Sequence, residues 1–173
     1  MTPGVTARPI VVIGAPGSGK STVGRRLARH WGVAFHDTDQ LIEESVGKSV
    51  SDIFVEEGEP AFRAREREIV AQALAEFDGV LALGGGAVID DQTRQRLAQA
   101  PCLWLRVGVS EAARRVGLNT SRPLLLGNVR GTLMTLLDER TPMYEEVATW
   151  TIDTDGRSAD EVVEAVVAAL EVA

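Results

Sequence analysis

The sequence predicts an α/β fold, a parallel β-sheet flanked by helices on both faces. Short, wholly apolar runs alternate with longer amphipathic stretches along the chain. Strands apolar throughout, each followed by a helix, belong to parallel sheets buried on both sides. The first such run leads through a glycine-rich string into a helical pattern, the strand–loop–helix order of a phosphate cradle. The chain has 173 residues, 45% hydrophobic and 25% charged, ordinary values for one globular unit. No internal repeat or Pro/Gly/Ser-rich linker divides it, so residues 1–173 are expected to form a single domain.

The elements follow in order. Ile10–Ile13 reads as the first strand and 19–31 as a helix. A shorter strand at 33–36 precedes helical patterns at 39–46, 51–57 and 60–77. A third strand at 79–83 is followed by a helix at 91–99, and a fourth at 102–107 by a helix at 110–116. Residues 117–130 have no apolar period and contain Asn, Gly, Pro and Arg; long loops of this kind are often active-site lids. A helix at 133–147 and a strand at 149–152 lead to the last helix. There Ser158 and Glu161 form an S-x-x-E capping box, and Val162, Val163, Val166, Val167 and Leu170 make one apolar stripe.

Composition excludes several classes. No apolar run approaches the roughly 18 residues of a membrane-spanning helix. The N-terminal residues lack the charged and apolar regions of a secretory signal. The single cysteine, Cys102, offers neither an intrachain disulfide nor a CxxC metal knuckle, so a reducing, cytoplasmic setting is expected. Net charge is −7, which argues against non-specific attraction to nucleic acid.

Residues 14–21, GAPGSGKS, match G-x-x-x-x-G-K-[ST] in the required context. The glycines let consecutive backbone N–H groups point at phosphate oxygens, and the helix N-terminus adds partial positive charge. A flexible Gly-Ser turn is the bland alternative, but only two of the 18 basic residues are lysines, so Lys20 within the motif is not background. Lys20 is placed to reach the β- and γ-phosphates and the Ser21 hydroxyl to ligate Mg²⁺. The motif does not name the acceptor: small-molecule kinases, GTPases, motor-type ATPases and nucleotide sensors share it. No N-K-x-D string is present.

Asp37-Thr38-Asp39 follows the second strand, at the edge where open α/β sheets bind ligands. As alternate residues of an extended segment, both carboxylates would share a side. One would orient or deprotonate an attacking hydroxyl, the other help to hold Mg²⁺ and its waters. The structural alternative is that Asp39 or Thr38 caps a helix starting at Gln40. Gly84, Gly85 and Gly86 end the third strand, and three side-chain-free positions let a ligand or another backbone approach closely. No acidic residue ends that strand, so the metal would depend on Ser21, the phosphates and Asp37. Arg65 and Arg67 read as a solvated face paired with Glu66 and Glu68. Arg63, Arg122 and Arg140 each read, singly, as surface charge.

Taken together, the strings GAPGSGKS, DTDQLIE, DIFVEEGEPAFRARE, LALGGGAV, NTSRPLL, ERTPMYEEVA and IDT resemble the shikimate kinase family nearly end to end, over about residues 10–170. The resemblance implies a P-loop NTPase fold of the nucleoside-monophosphate-kinase type, with a five-stranded parallel sheet. It implies a core of about 9–37, 67–116 and 131–173, an acceptor-binding segment of about 38–66 and a lid of about 117–130. The activity implied is Mg-ATP-dependent phosphorylation of the 3-hydroxyl of shikimate by a monomer, on the way to aromatic amino acids. Gly17, Ser18, Gly19, Lys20, Ser21 and Thr22 would cradle the nucleotide, and Ser21 and Asp37 would serve the metal. Asp39 would bind the acceptor hydroxyls and is the candidate base. Arg63 and Arg140 would grip the carboxylate beside Gly84, Gly85 and Gly86. Arg122 would be the lid arginine at the phosphates, and Arg115 and Arg157 would border the adenine. Ala82 and Ala159 depart from the family pattern. Two rivals are a P-loop kinase of another hydroxy acid such as gluconate and a non-catalytic nucleotide-binding module.

Overall fold

A computed structural model describes residues 9–117 and 128–171. Its elements run β1 (Ile10–Ile13), α1 (Lys20–Trp31), β2 (Phe35–Asp37), α2 (Thr38–Val46), α3 (Val50–Glu57), α4 (Glu59–Glu76) and β3 (Val80–Ala82). After a 3-10 turn at Ala87–Ile89 come α5 (Asp91–Leu97), β4 (Cys102–Arg106), α6 (Val109–Gly117), α7 (Val129–Val147), β5 (Trp150–Asp153) and α8 (Ala159–Glu171). The five strands form one parallel sheet in the order β2-β3-β1-β4-β5. Successive residues of β1 feed opposite layers. Val11 and Ile13 pack with Val70, Leu81, Leu133 and Tyr144 on one side, while Val12 packs with Val23, Leu27, Leu103 and Val166 on the other.

That order places the functional edge. β1 lies at the centre; its crossover leaves towards β2 while that of its neighbour β4 leaves towards β5, and such a switch point opens a crevice at the C-terminal ends of the strands. Val12 and Asp37 both stand in register with Ala82. The loops after β1, β2 and β3 therefore leave the sheet side by side. A separate small core of Ile42, Ile53 and Phe62, each no more than 3% exposed, ties α2, α3 and α4 together beside this edge.

The capping box of α8 is present in both directions: Glu161 N–H donates to Ser158 Oγ (3.2 Å) and Ser158 N–H to Glu161 Oε1 (3.1 Å). α7 starts at Val129, four residues ahead of the expected 133, because the Asn128 side chain accepts the Gly131 N–H (3.0 Å) and caps it. Residues 129 and 130, expected in the loop, are helical. α3 likewise starts earlier, with Ser49 as its N-cap.

Ile53 fills the small core at 0% exposure. Ile53→Ala is expected to cost about 2–4 kcal/mol in urea unfolding, with amide exchange accelerated in α2, α3 and the start of α4 before the central sheet.

Candidate active site

The cradle begins at β1 and closes on α1. Gly19 caps α1 with φ +88°, a left-handed conformation that a side chain would strain. Lys20 is only 8% exposed, and its Nζ donates to the Ala15 carbonyl (3.1 Å), which holds the ammonium over the loop. The Ser21 hydroxyl donates to Asp37 Oδ2 (2.7 Å). Arg115 reaches in from α6: one Nη donates to the Gly17 carbonyl (3.0 Å) and Thr154 Oγ1 (3.2 Å), the other to the Thr154 carbonyl (3.1 Å). It thus fastens the cradle to the end of β5. A cleft of about 220 Å³ takes in Gly17, Gly19, Lys20, Ser21, Thr22, Asp37, Asp39, Gly84, Gly85 and Arg115.

The two aspartates reach this cleft differently from the extended reading. Asp37 ends β2 and is itself the cap of α2, its Oδ1 accepting the N–H groups of Asp39 (2.9 Å) and Gln40 (3.4 Å). Asp39 stands in the first turn of the helix. A strand end and a helix start, rather than alternate extended positions, bring both carboxylates to one cavity. Between them Thr38, fully buried, accepts the Gly84 N–H (3.1 Å) and so ties β2 to the glycine run.

Each of the three glycines is crowded by a different partner. A Cβ on Gly84 would stand 2.6 Å from Asp39 Oδ1 and 3.0 Å from Glu66 Oε2. One on Gly85 would stand 3.1 Å from the Pro16 ring of the cradle and 3.5 Å from an Arg140 Nη. One on Gly86 would collide with the guanidinium of Arg63. The Tyr144 hydroxyl donates to the Gly85 carbonyl (2.6 Å). Arg140, 4% exposed, lies behind Gly85. Arg63 opens instead on the adjoining hollow of about 450 Å³ with Glu66, Ala87 and Asp90. Arg157 is exposed and its backbone N–H donates to the Thr154 carbonyl (3.2 Å); its side chain does not line the cleft. Ser18 is buried and its hydroxyl has no hydrogen-bond partner among the described residues. Arg122 lies outside the described residues.

Glu66 departs from the surface reading. Arg65 pairs with Glu57 (3.0 Å) and Arg67 with Asp90 (2.7 Å), while Glu66 is 3% exposed and accepts from Arg63 Nη1 at 2.8 Å. The signal was present in the sequence: Phe62, Glu66, Val70 and Ala73 recur at helical spacing, and all four are buried. Burial pushes the Glu66 carboxyl up to about 7 against the opposing pull of Arg63, with the Asp39 charge pushing the same way as burial. Burial also pushes the Tyr144 phenol up to about 12, so it stays a donor.

A phosphate cradle facing two carboxylates and two arginines across one glycine run defines a nucleotide-dependent kinase of small molecules. The chain matches the shikimate kinase family over residues 16–171. It is 54% identical over 158 residues to a shikimate kinase of Saccharopolyspora erythraea, covering 91% of this chain and 90% of that protein. It is 55% identical over 161 residues to one of Thermobifida fusca, covering 92% and 94%. Among solved structures it superposes on a shikimate kinase from Acinetobacter baumannii in complex with shikimate, with a TM-score of 0.90, 36% identity and coverage of 96% and 94%. The chain belongs to the shikimate kinase family.

The buried Glu66 carboxyl links folding to pH. Between the ordinary carboxyl range and about pH 7 the folded chain keeps a proton on Glu66 that the unfolded chain has lost, so stability falls as pH rises through that window. Glu66→Gln removes this loss. The difference in unfolding free energy between variant and wild type should grow in the variant's favour from pH 5 to 7, by at most about 1.4 kcal/mol per unit, and level off above. A constant difference would contradict the buried-acid reading.

Proposed function

We propose that the chain transfers the γ-phosphoryl group of ATP to the 3-hydroxyl of shikimate, as a cytoplasmic monomer. The observation that carries this is the packing of residues 84–86 between the cradle and the groups Asp39, Arg63 and Arg140. A small polyhydroxy acid suits two guanidinium groups and a carboxylate. Arginine holds a carboxylate through two parallel hydrogen bonds, which lysine does not reproduce. The TM-score of 0.90 to a structure containing shikimate supports the same acceptor.

Each residue then has a defined task. The cradle, with the buried Ser18 hydroxyl, Ser21 and Thr22, binds the phosphates, and the Lys20 ammonium balances charge on the β- and γ-oxygens. Arg115 and Arg157 border the base from α6 and from the turn after β5. Arg63 and Arg140 orient the acid through its carboxylate. Asp39 accepts the hydroxyl proton as the oxygen attacks phosphorus and ADP departs. Arg122 closes over the phosphates from the proposed lid, limiting wasteful hydrolysis. Residues 38–66 serve as the acceptor-binding segment of a single domain.

Mg²⁺ fits the residues present. Ser21 Oγ and Asp37 Oδ2 lie 2.7 Å apart and are hard oxygen donors. Mg²⁺ is commonly held by one or two such groups with waters and substrate phosphates rather than by a protein cage. Among the described residues no cluster of three or more His, Cys, Asp or Glu forms such a cage. Held there by Ser21 and Asp37, the ion would neutralise charge developing during phosphoryl transfer.

A coupled ADP-release assay with ATP alone, with shikimate and with gluconate tests the reading. Release that depends on shikimate is expected; turnover of gluconate without shikimate, or of neither acceptor, would contradict it. Asp39→Asn should lower kcat by about 10²-fold or more; near-normal turnover would leave Asp39 only a binding role. Arg63→Ala and Arg140→Ala should each weaken shikimate binding by about 1.5–3 kcal/mol, with KM rising more than kcat falls. Unchanged KM in both would refute the carboxylate clamp.

A further inference from the structure

Glu66 is the one carboxylate of this site that the phosphoryl-transfer chemistry leaves without a task. Its Oε1 accepts from Arg63, while its Oε2 is fully enclosed and, among the described residues, has no hydrogen-bond partner. An ionised carboxylate with an orphaned oxygen in a closed site is costly, whereas a protonated one removes the charge. The groups facing it come from three helices. Arg63 lies on its own helix α4, Asp39 on α2, and Arg140 and Tyr144 on α7. With Glu66 ionised, the two carboxylates balance the two guanidinium groups. A bound acceptor carboxylate adds a third negative charge to the same pair of arginines.

We propose that Glu66 is a proton-linked positioning residue, taking up a proton on Oε2 when the acceptor acid binds so that Arg63 is released from one negative partner as it engages another. The inference rests on the acceptor reading above, in which Arg63 and Arg140 hold the acid. The balance is simple: one carboxylate anion enters, one proton is drawn from solvent onto Glu66, and the enclosed charge is unchanged. Arg63 makes the exchange possible because its Nε and Nη2 already face a second acid, the half-exposed Glu59, at 3.4 Å. The guanidinium is therefore a hub whose carboxylate partners can be traded. Burial holds the free-enzyme Glu66 carboxyl at about 7, which sets the window in which the uptake is visible. The free acid of the acceptor, with an ordinary carboxyl, is ionised throughout that window.

Titration calorimetry of the intact chain with shikimate, in buffers of different ionisation enthalpy from pH 6 to 8.5, reads the proton directly. Uptake is expected to rise from near zero at pH 6 to about half a proton near pH 7 and most of one near pH 8. The shikimate KM should be flat below about pH 6.5 and then climb by up to tenfold per pH unit. Glu66→Gln, which keeps an oxygen for Arg63 but no titratable group, should abolish both the uptake and the KM slope while the pH profile of kcat keeps its shape. The two histidines have other neighbours: His36 stacks on Phe77 at 4.2 Å and His30 lies 4.0 Å from Glu171 on the α1–α8 side. Shikimate binding by wild type without proton uptake across the range would overturn the inference, and so would wild-type uptake in Glu66→Gln. The wild-type arm stands even if the variant folds poorly. Absence of shikimate binding altogether would instead strike the acceptor reading, and this inference with it.

Discussion

The site depends on three consecutive positions that carry no side chain. Residues 84–86 are pressed from below by Pro16 of the phosphate cradle and from the other sides by Asp39, Glu66, Arg140 and Arg63. A donor phosphate and an acceptor acid meet in line only if the walls that hold them are a few ångströms apart, and a Cβ at any of these positions would push one wall away. The fold supports the run at three points. Thr38 takes the Gly84 N–H, Tyr144 holds the Gly85 carbonyl, and β3 delivers the run between β2 and β1.

Charge is arranged with the same economy. The two acids, Asp39 and Glu66, meet the run at Gly84 and the two arginines, Arg140 and Arg63, at Gly85 and Gly86, so these four side chains balance when all are ionised. Such an arrangement is costly to break at Arg63, whose loss leaves the buried Glu66 without its guanidinium partner. It also makes the protonation state of Glu66 a variable of the site rather than a constant. At the nucleotide end, Arg115 serves a mechanical purpose, since its three bonds pin the Gly17 carbonyl to Thr154 and keep the cradle in register with β5.

Much of this was legible in the sequence. The cradle, the strand–helix alternation, the capping box at Ser158 and the family strings are local patterns, and local patterns survive the absence of coordinates. That Asp37, rather than Thr38 or Asp39, caps α2 was not legible. In D-x-D either residue can cap a helix, and only the register of β2 against β3 decides where the strand stops. Glu66 was concealed inside the alternating charges of RARERE, where the surface reading of Arg65 and Arg67 was extended to their neighbour; its place in the Phe62–Val70 stripe was the signal that mattered. The early start of α7 was hidden because Gly131 lowers helix propensity, which the Asn128 cap outweighs. Arg115's bridge to Gly17 joins residues nearly a hundred positions apart and leaves no local trace.

The central claim is that the bare glycine run sets the distance between acceptor and donor. It is tested most directly by Gly86→Ala, in which the three atoms nearest the added methyl all belong to the Arg63 guanidinium rather than to backbone. Shikimate affinity measured calorimetrically should fall at least about tenfold, the loss of one charge-assisted contact, while ATP affinity and the unfolding temperature stay near wild type. Unchanged shikimate affinity would show that the position of Arg63 against the glycines is not what holds the acid, and the account of the site would fail.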